Sequence, residues 1–433
     1  INEVISVQGF MYRRIAYIVI GGACLLMCLL PVFFEKSNVS LWYVYATFIV
    51  LLSSSLWGYF FNYKQIVLTA DQKDYLLTRT LQSTKIVKVI IQIICVLYFS
   101  YGYIYWLILE FVFGVSTIFI INYLLKKEYP WLKSSPRTGH HLKNKYPDII
   151  RKTKQIFFHK IATFVLQQTS PLIIYAYASL TLVAIYGNYM LMITGGIMLL
   201  GSIFNGIGAG VGNLVAEGDY GKIEKVFWEL FVSRFWLVSV FCFCMYMLTV
   251  PFMTLWVGEG YLLDHWTFIL LLLYAFIQLT RVYDLFIGAY GLFQDIWAPI
   301  VEMILNLSLS ILLGYFWGIT GIVGGVLISL IIIPCGWKPY FLYKYGFRKN
   351  YISFIIPILK LILSVVLFGS LSYSICMLSF TITTITLTNF IIYALQILVV
   401  SLVIATIIFY VMNKGMRDFM GRIYYKLVSC IEK

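Results

Sequence analysis

The sequence predicts an all-α fold, a polytopic bundle of transmembrane helices, and three observations carry that prediction. Hydrophobic residues make up 61% of the 433-residue chain and charged residues only 12%, against about a quarter charged in soluble domains. Apolar runs of about 20 residues, enough to cross a hydrocarbon core of ~30 Å, recur along the whole length. Basic residues gather between those runs, above all in the interval 126–160, which holds ten of them against two acidic residues within a net charge of +14. Spanning runs flank this interval on both sides, so the positive-inside rule explains it better than nucleic-acid binding.

The elements follow by counting outward from that loop. A first apolar run at 15–34 follows Arg13 and Arg14, and 41–63 returns. The mixed-charge stretch 64–85 is a second connection on the same side, after which 86–101 and 103–125 form a hairpin turning at Gly102. Four spans thus precede the loop, and eight follow at 161–180, 183–214, 226–249, 266–289, 297–315, 318–336, 353–377 and 388–411. The run 183–214 is too long for one straight span, and Gly206, Gly208, Gly210 and Gly212 are expected to serve close packing in preference to a hinge. Alternation places 35–40, 250–265, about 316 and 378–387 outside, and of 32 Lys and Arg residues only Lys36 falls there. An error in parity would scatter the basic residues over both faces, so the central loop and the C-terminus are expected to be cytoplasmic.

Chemistry has few residues to work with. Charged groups inside a bilayer are costly and mark function by default; away from the rims they are Glu110, Arg234, Arg281, Asp284, Glu302 and Lys360. Arg281 and Asp284 stand at i and i+3 on one helix face, as a structural ion pair or as a site. Asp295, Glu302 and Asn306 line one stripe of the next span, facing the bundle interior or a water-filled cavity. Arg234 lies ~12 Å from the inner end of its helix at 1.5 Å per residue, where it meets a phosphate or snorkels to the rim. Lys360 is expected to snorkel. Gln167, Gln168, Thr169 and Ser170 precede Pro171 in the first span after the loop, a polar break at membrane depth. With Asn188 and Asn205 they suit a carbohydrate-lined cavity or interhelical hydrogen bonds. The eight cysteines are scattered without metal-ligand spacing, so no metal and no cofactor are expected. Gly221 with Lys222 lacks the rest of a phosphate-binding loop, and no outer interval is long enough for a catalytic site, so no catalytic residues and no enzymatic activity are expected.

From about residue 156 the chain resembles the polysaccharide-unit flippases of the O-antigen and capsule type, in the multidrug/oligosaccharidyl-lipid/polysaccharide (MOP) exporter superfamily. The residues that carry the resemblance are IATFVLQQTSPLIIYAYASLTLVAIYGNYMLM, VGNLVAEGD, the run from Arg281 to Leu330, and CGWKPYFLYKYGF. The resemblance implies two six-helix lobes plus two C-terminal helices. On it, 1–125 is an N-lobe of four visible spans, 126–160 a basic linker, 161–336 the C-lobe, 337–412 the additional pair and 413–433 a cytoplasmic tail. Twelve visible spans then fit a native chain of fourteen whose first hairpin precedes Ile1. The implied function is to flip a polyprenyl-diphosphate-linked oligosaccharide from the cytoplasmic to the outer leaflet of the bacterial inner membrane by alternating access, for polysaccharide biosynthesis. Arg234, Arg281, Asp284, Gln167, Gln168, Asn188 and Asn205 would line the substrate cavity between the lobes; Glu110, Asp284 and Glu302 would couple an ion gradient. The implied partners are the lipid-linked oligosaccharide, membrane lipid and the glycosyltransferases and polymerase of the same pathway, around a monomeric chain with no nucleic acid. A multidrug exporter of the same superfamily and a membrane glycan polymerase or ligase are the rival functions.

Overall fold

The computed structural model describes residues 1–433 except 35–39, 72, 148–149, 151–168, 178, 206, 293, 381–385 and 432–433, and leaves the side chains of 74, 143, 205, 209 and 426–431 undescribed. The described residues are predominantly helical, with no strand among them. The chain divides into two compact units, Ile1–Lys154 and Gln155–Lys433.

Unit 1 is built from four long helices, α1 (Asn2–Phe34), α2 (Leu41–Phe61), α4 (Asp74–Tyr98) and α5 (Gly102–Glu128), with the short α3 (Ile66–Ala70) and α6 (Pro136–Leu142). Its first helix begins well before the apolar run at residue 15, because Ile5 and Val7 have a core to enter. At the polar end of the unit Ile5 belongs to one core cluster with Tyr63, Leu68, Ile121, Leu125 and Leu132. The first half of the basic loop packs here too. Gly139 lies so close to α1 that an added Cβ would meet the Ser6 carbonyl oxygen at 1.9 Å, and the Ser135 amide donates to Ser6 Oγ at 3.1 Å. Glycine is required for that approach. Along α4, by contrast, Ile86, Ile90, Ile93 and Leu97 are exposed, an apolar face suited to lipid.

Unit 2 contains α7 (described over 169–177), α8 (Leu180–Asn205), α9 (Gly208–Glu217), α10 (Tyr220–Trp256), α11 (His265–Thr280), α12 (Val282–Ala289), α13 (Trp297–Leu330), α14 (Lys338–Phe341), α15 (Ile352–Ser379), α16 (Leu387–Met412) and α17 (Lys414–Ile431). The long run after α7 is not one tilted helix; it breaks between Asn205 and Gly208. Gly210 and Gly212 have open space beside them, so the close packing expected of these two glycines is not what the structure shows. Helix α10 is the axis of the unit and packs against α11, α15, α16 and α17. It starts on Asp219, whose carboxylate accepts from the amides of Gly221 and Lys222 at 3.0 and 3.1 Å, satisfying two of the helix's orphan donors. Phe227, Phe231 and Phe235 on α10 stack with one another and meet Phe286, Tyr343 and Phe354 edge to face, the geometry that ring quadrupoles favour.

Among the described residues ten helical stretches are long and apolar enough to cross a membrane, so this is a multi-pass membrane protein. One of them, Trp297–Phe347, is two crossings, because Gly318 takes φ 56° and turns the chain back. Residues 161–168 and 178 of the expected span 161–180 lie outside the described residues.

Candidate functional site

The site forms where the span His265–Ala289 breaks at Arg281, between α11 and α12. Thr280 supplies a local cause, since its hydroxyl donates to the carbonyls of Phe276 and Ile277 at 2.8 and 3.3 Å and such back-bonding bends helices. Arg281 therefore leaves the helical backbone, with ψ 61°, and the pair expected on one continuous helix face straddles a break instead. Its Nε donates to Asp284 Oδ2 at 2.7 Å and its Nη1 to Gln278 Oε1 at 3.1 Å. The other oxygen of Asp284 accepts from Lys338 Nζ at 2.8 Å. One carboxylate thus bridges two cations.

Lys338 arrives from an unusual direction. It sits between two π-helical turns, Ile331–Trp337 and Leu342–Phe347, the first containing Pro334 and the second preceded by Pro339. Proline deprives a helix of a donor, wider turns absorb the mismatch, and such turns recur at functional sites. Glu302 on α13 is 4% exposed and within electrostatic reach of Arg281, Lys338 and Asp284. It forms no ion pair within 4.0 Å among the described residues. Arg234 on α10 adds a third cation. Its guanidinium lies 4.4 Å over the Phe204 ring, its Nε has no hydrogen-bond partner, and Asp284 lies within its electrostatic reach. Among the described residues these three cations and two carboxylates lie in an apolar interior, an excess of cation over carboxylate that is suited to an anion.

The remaining expected residues divide differently. Asn306 donates to Ser329 at 3.4 Å across the α13 hairpin, and Ser310 donates to the Ile322 carbonyl at 3.0 Å, so the polar stripe turns to the bundle interior. Glu110 belongs to unit 1, where it accepts from Lys88 at 2.7 Å and Gln92 at 3.0 Å. Asn188 is half-buried on α8. Gln167 and Gln168 lie outside the described residues, as does the side chain of Asn205. Ser170 is hydrogen-bonded with Tyr186, a link between neighbouring helices. Lys360 is exposed. Sequence reasoning missed Lys338 because a lysine in a connection at the inner rim reads as solvated; the signal was the pair of prolines around it in an aromatic run. It also missed Lys88, the partner of Glu110.

Fold and site together define a multi-pass helical membrane protein with a broken span and an anion-suited charge cluster in its interior. Over 96% of this chain and 85% of the other, the fold is similar to that of lipid II flippase MurJ in an inward closed conformation, with a TM-score of 0.62 and 14% identity. A mutant of the Vibrio cholerae MATE transporter VcmN aligns over 80% of each chain, with a TM-score of 0.46 and 14% identity. No protein-family model matches the sequence, and no curated protein matches it.

Proposed function

We propose that this protein is a transporter, not an enzyme, that flips a lipid-linked, diphosphate-bearing oligosaccharide of the O-antigen or capsule type from the cytoplasmic to the outer leaflet by alternating access. The observation that carries the reading is Asp284 bridging Arg281 and Lys338 at a helix break inside an apolar bundle. A diphosphate presents the same oxygens as a carboxylate in greater number, so it replaces Asp284 between the two cations by exchange of like for like. Guanidinium pairs with phosphate through two parallel hydrogen bonds that an ammonium does not reproduce. The fold likeness to a flippase of a lipid-linked substrate supports the substrate class. Of the carboxylates considered for ion coupling, Asp284 and Glu110 are tied into close ion pairs. Glu302 is the one free to exchange a proton, and we assign coupling to it.

The test is a deletion strain in which lipid-linked glycan is measured on each leaflet. Intermediates should accumulate inside, and wild type but not Arg281→Ala should restore export. Normal delivery to the outer leaflet in a strain with no other flippase refutes the reading, whereas efflux of a small apolar cation dependent on Arg281 moves it to a multidrug exporter.

A further inference from the structure

A second site lies in unit 2, away from the charge cluster. A cavity of about 490 Å³ opens between α10, α15 and the junction of α16 with α17. Four cations line it, Lys225, Lys360, Lys414 and Arg417, against two carboxylates, Glu224 and Asp418. Both carboxylates are occupied: Glu224 pairs with Lys349, and Asp418 faces Lys225 at 4.0 Å. Arg417 is held by two neutral groups, the carbonyls of Tyr410 and Val411, at 3.1 and 2.9 Å. That fixes its position and leaves its charge uncancelled. Lys360 and Lys414 have no ion-pair partner among the described residues. Three cations without counter-charge therefore share one mouth, whose wall is apolar at Trp228, Leu361 and Met412.

A second cavity of about 540 Å³, which shares Met412 with the first, runs along the seam of α15 and α16, lined by Leu367, Leu371, Ile407 and Val411 among others. The serines in it make no polar demand, since Ser370 and Ser374 donate to carbonyls of their own helix at 3.1 and 2.9 Å. A cationic mouth opening into an apolar groove is complementary to an amphiphile with an anionic head. The level is also right: Lys360 lies about 12 Å from the start of α15 at 1.5 Å per residue, within reach of the headgroup region. Basic pockets between spanning helices bind anionic lipid headgroups.

We propose that these adjacent cavities, which meet at Met412, hold one anionic glycerophospholipid, its phosphate at Lys360, Lys414 and Arg417 and an acyl chain along the α15–α16 seam. The site is independent of the transported substrate. The full chain, purified in detergent, is titrated with dioleoylphosphatidylglycerol, dioleoylphosphatidylcholine or sn-glycerol 3-phosphate, and bound ligand is counted by native mass spectrometry. One phosphatidylglycerol should bind in preference to phosphatidylcholine. Lys360→Gln or Lys414→Gln alone should weaken it about fivefold and the pair roughly 25-fold, at about 1 kcal/mol per basic residue. Ile407→Trp, which fills the groove, should weaken the lipid as well. Both lysines are exposed, so folding is expected to survive; thermal unfolding of each single variant checks this. Equal binding of the two lipids, or wild-type binding by both single variants, overturns the proposal. Competition by glycerol 3-phosphate at the same concentration as the lipid overturns the lipid assignment and leaves a simple phosphate site.

Discussion

Glu110 in unit 1 and Asp284 in unit 2 are both carboxylates placed within apolar helices, yet their surroundings differ. Glu110 faces one cation, Lys88, and its second oxygen accepts from Gln92, which also donates to the Trp106 carbonyl at 3.2 Å. The charges cancel one for one on unbroken helices. Asp284 instead bridges two cations beside a helix break, with Arg234 nearby and Glu302 unpaired. A closed pair suits structure, whereas a cluster with surplus charge at a break suits exchange with a ligand.

Substitution of whole pairs gives the largest expected contrast. Lys88→Met with Glu110→Leu should leave transport intact and stability unchanged or raised by ~1–4 kcal/mol, as found when buried pairs become apolar. Arg281→Met with Asp284→Leu should abolish transport although the fold persists; leaflet-resolved glycan and thermal unfolding in detergent separate the two outcomes. Next comes Arg281→Ala, which strands Asp284 on Lys338 alone. Its transport should fall below that of Arg281→Lys, and its destabilisation should stay under the ~3–5 kcal/mol of an uncompensated buried charge because Lys338 remains. Lys338→Gln is intermediate, with transport reduced but Asp284 still held by Arg281. A flux equal to wild type in Lys338→Gln would remove the lysine from the site.

The smallest effect belongs to the loop end of unit 1, outside the spans. There the Tyr129 hydroxyl, donating at 2.8 Å, and then Lys73, at 3.1 Å, hold the Asp71 carboxyl below its usual range. Its contribution to stability is present above the unfolded carboxylate's pKa and is lost as pH falls through the lower folded value. Asp71→Asn should therefore melt slightly below wild type at pH 7, and the difference should vanish in acid. Persistence of the gap at pH 2 would separate it from this ionisation.

What was legible in the sequence follows from what hydropathy records. The turn at about 316 was readable because runs of about twenty apolar residues are a local signal and their alternation puts a turn between them, and the structure puts that turn at Gly318. The charges Arg281, Asp284 and Glu302 were readable because each is costly in an apolar run. Partnership was not. Lys338 lies 54 residues from Asp284, and no local pattern encodes that pairing. The break at Arg281 was hidden inside a run whose composition reads as one helix. The C-terminal residues read as a tail, but α17 packs on α10 through Gly415, where an added Cβ would meet the Trp228 carbonyl oxygen at 2.8 Å. Arg422 then reaches the buried Glu229 at 2.7 Å.

The hairpin inside α13 carries a mechanical consequence. An added Cβ at Gly321 would meet the Leu313 carbonyl oxygen at 2.0 Å, and one at Gly325 the Ser310 amide at 2.4 Å. At these two positions backbone rests on backbone, and the Ile322 side chain closes on Gly314 in the same seam. Two spans so joined should move as one strut. Bending in unit 2 should then fall at its interrupted segments, the break at Arg281 beside this hairpin among them. A single methyl at position 325 should pry the strut apart and slacken the unit without touching a charge.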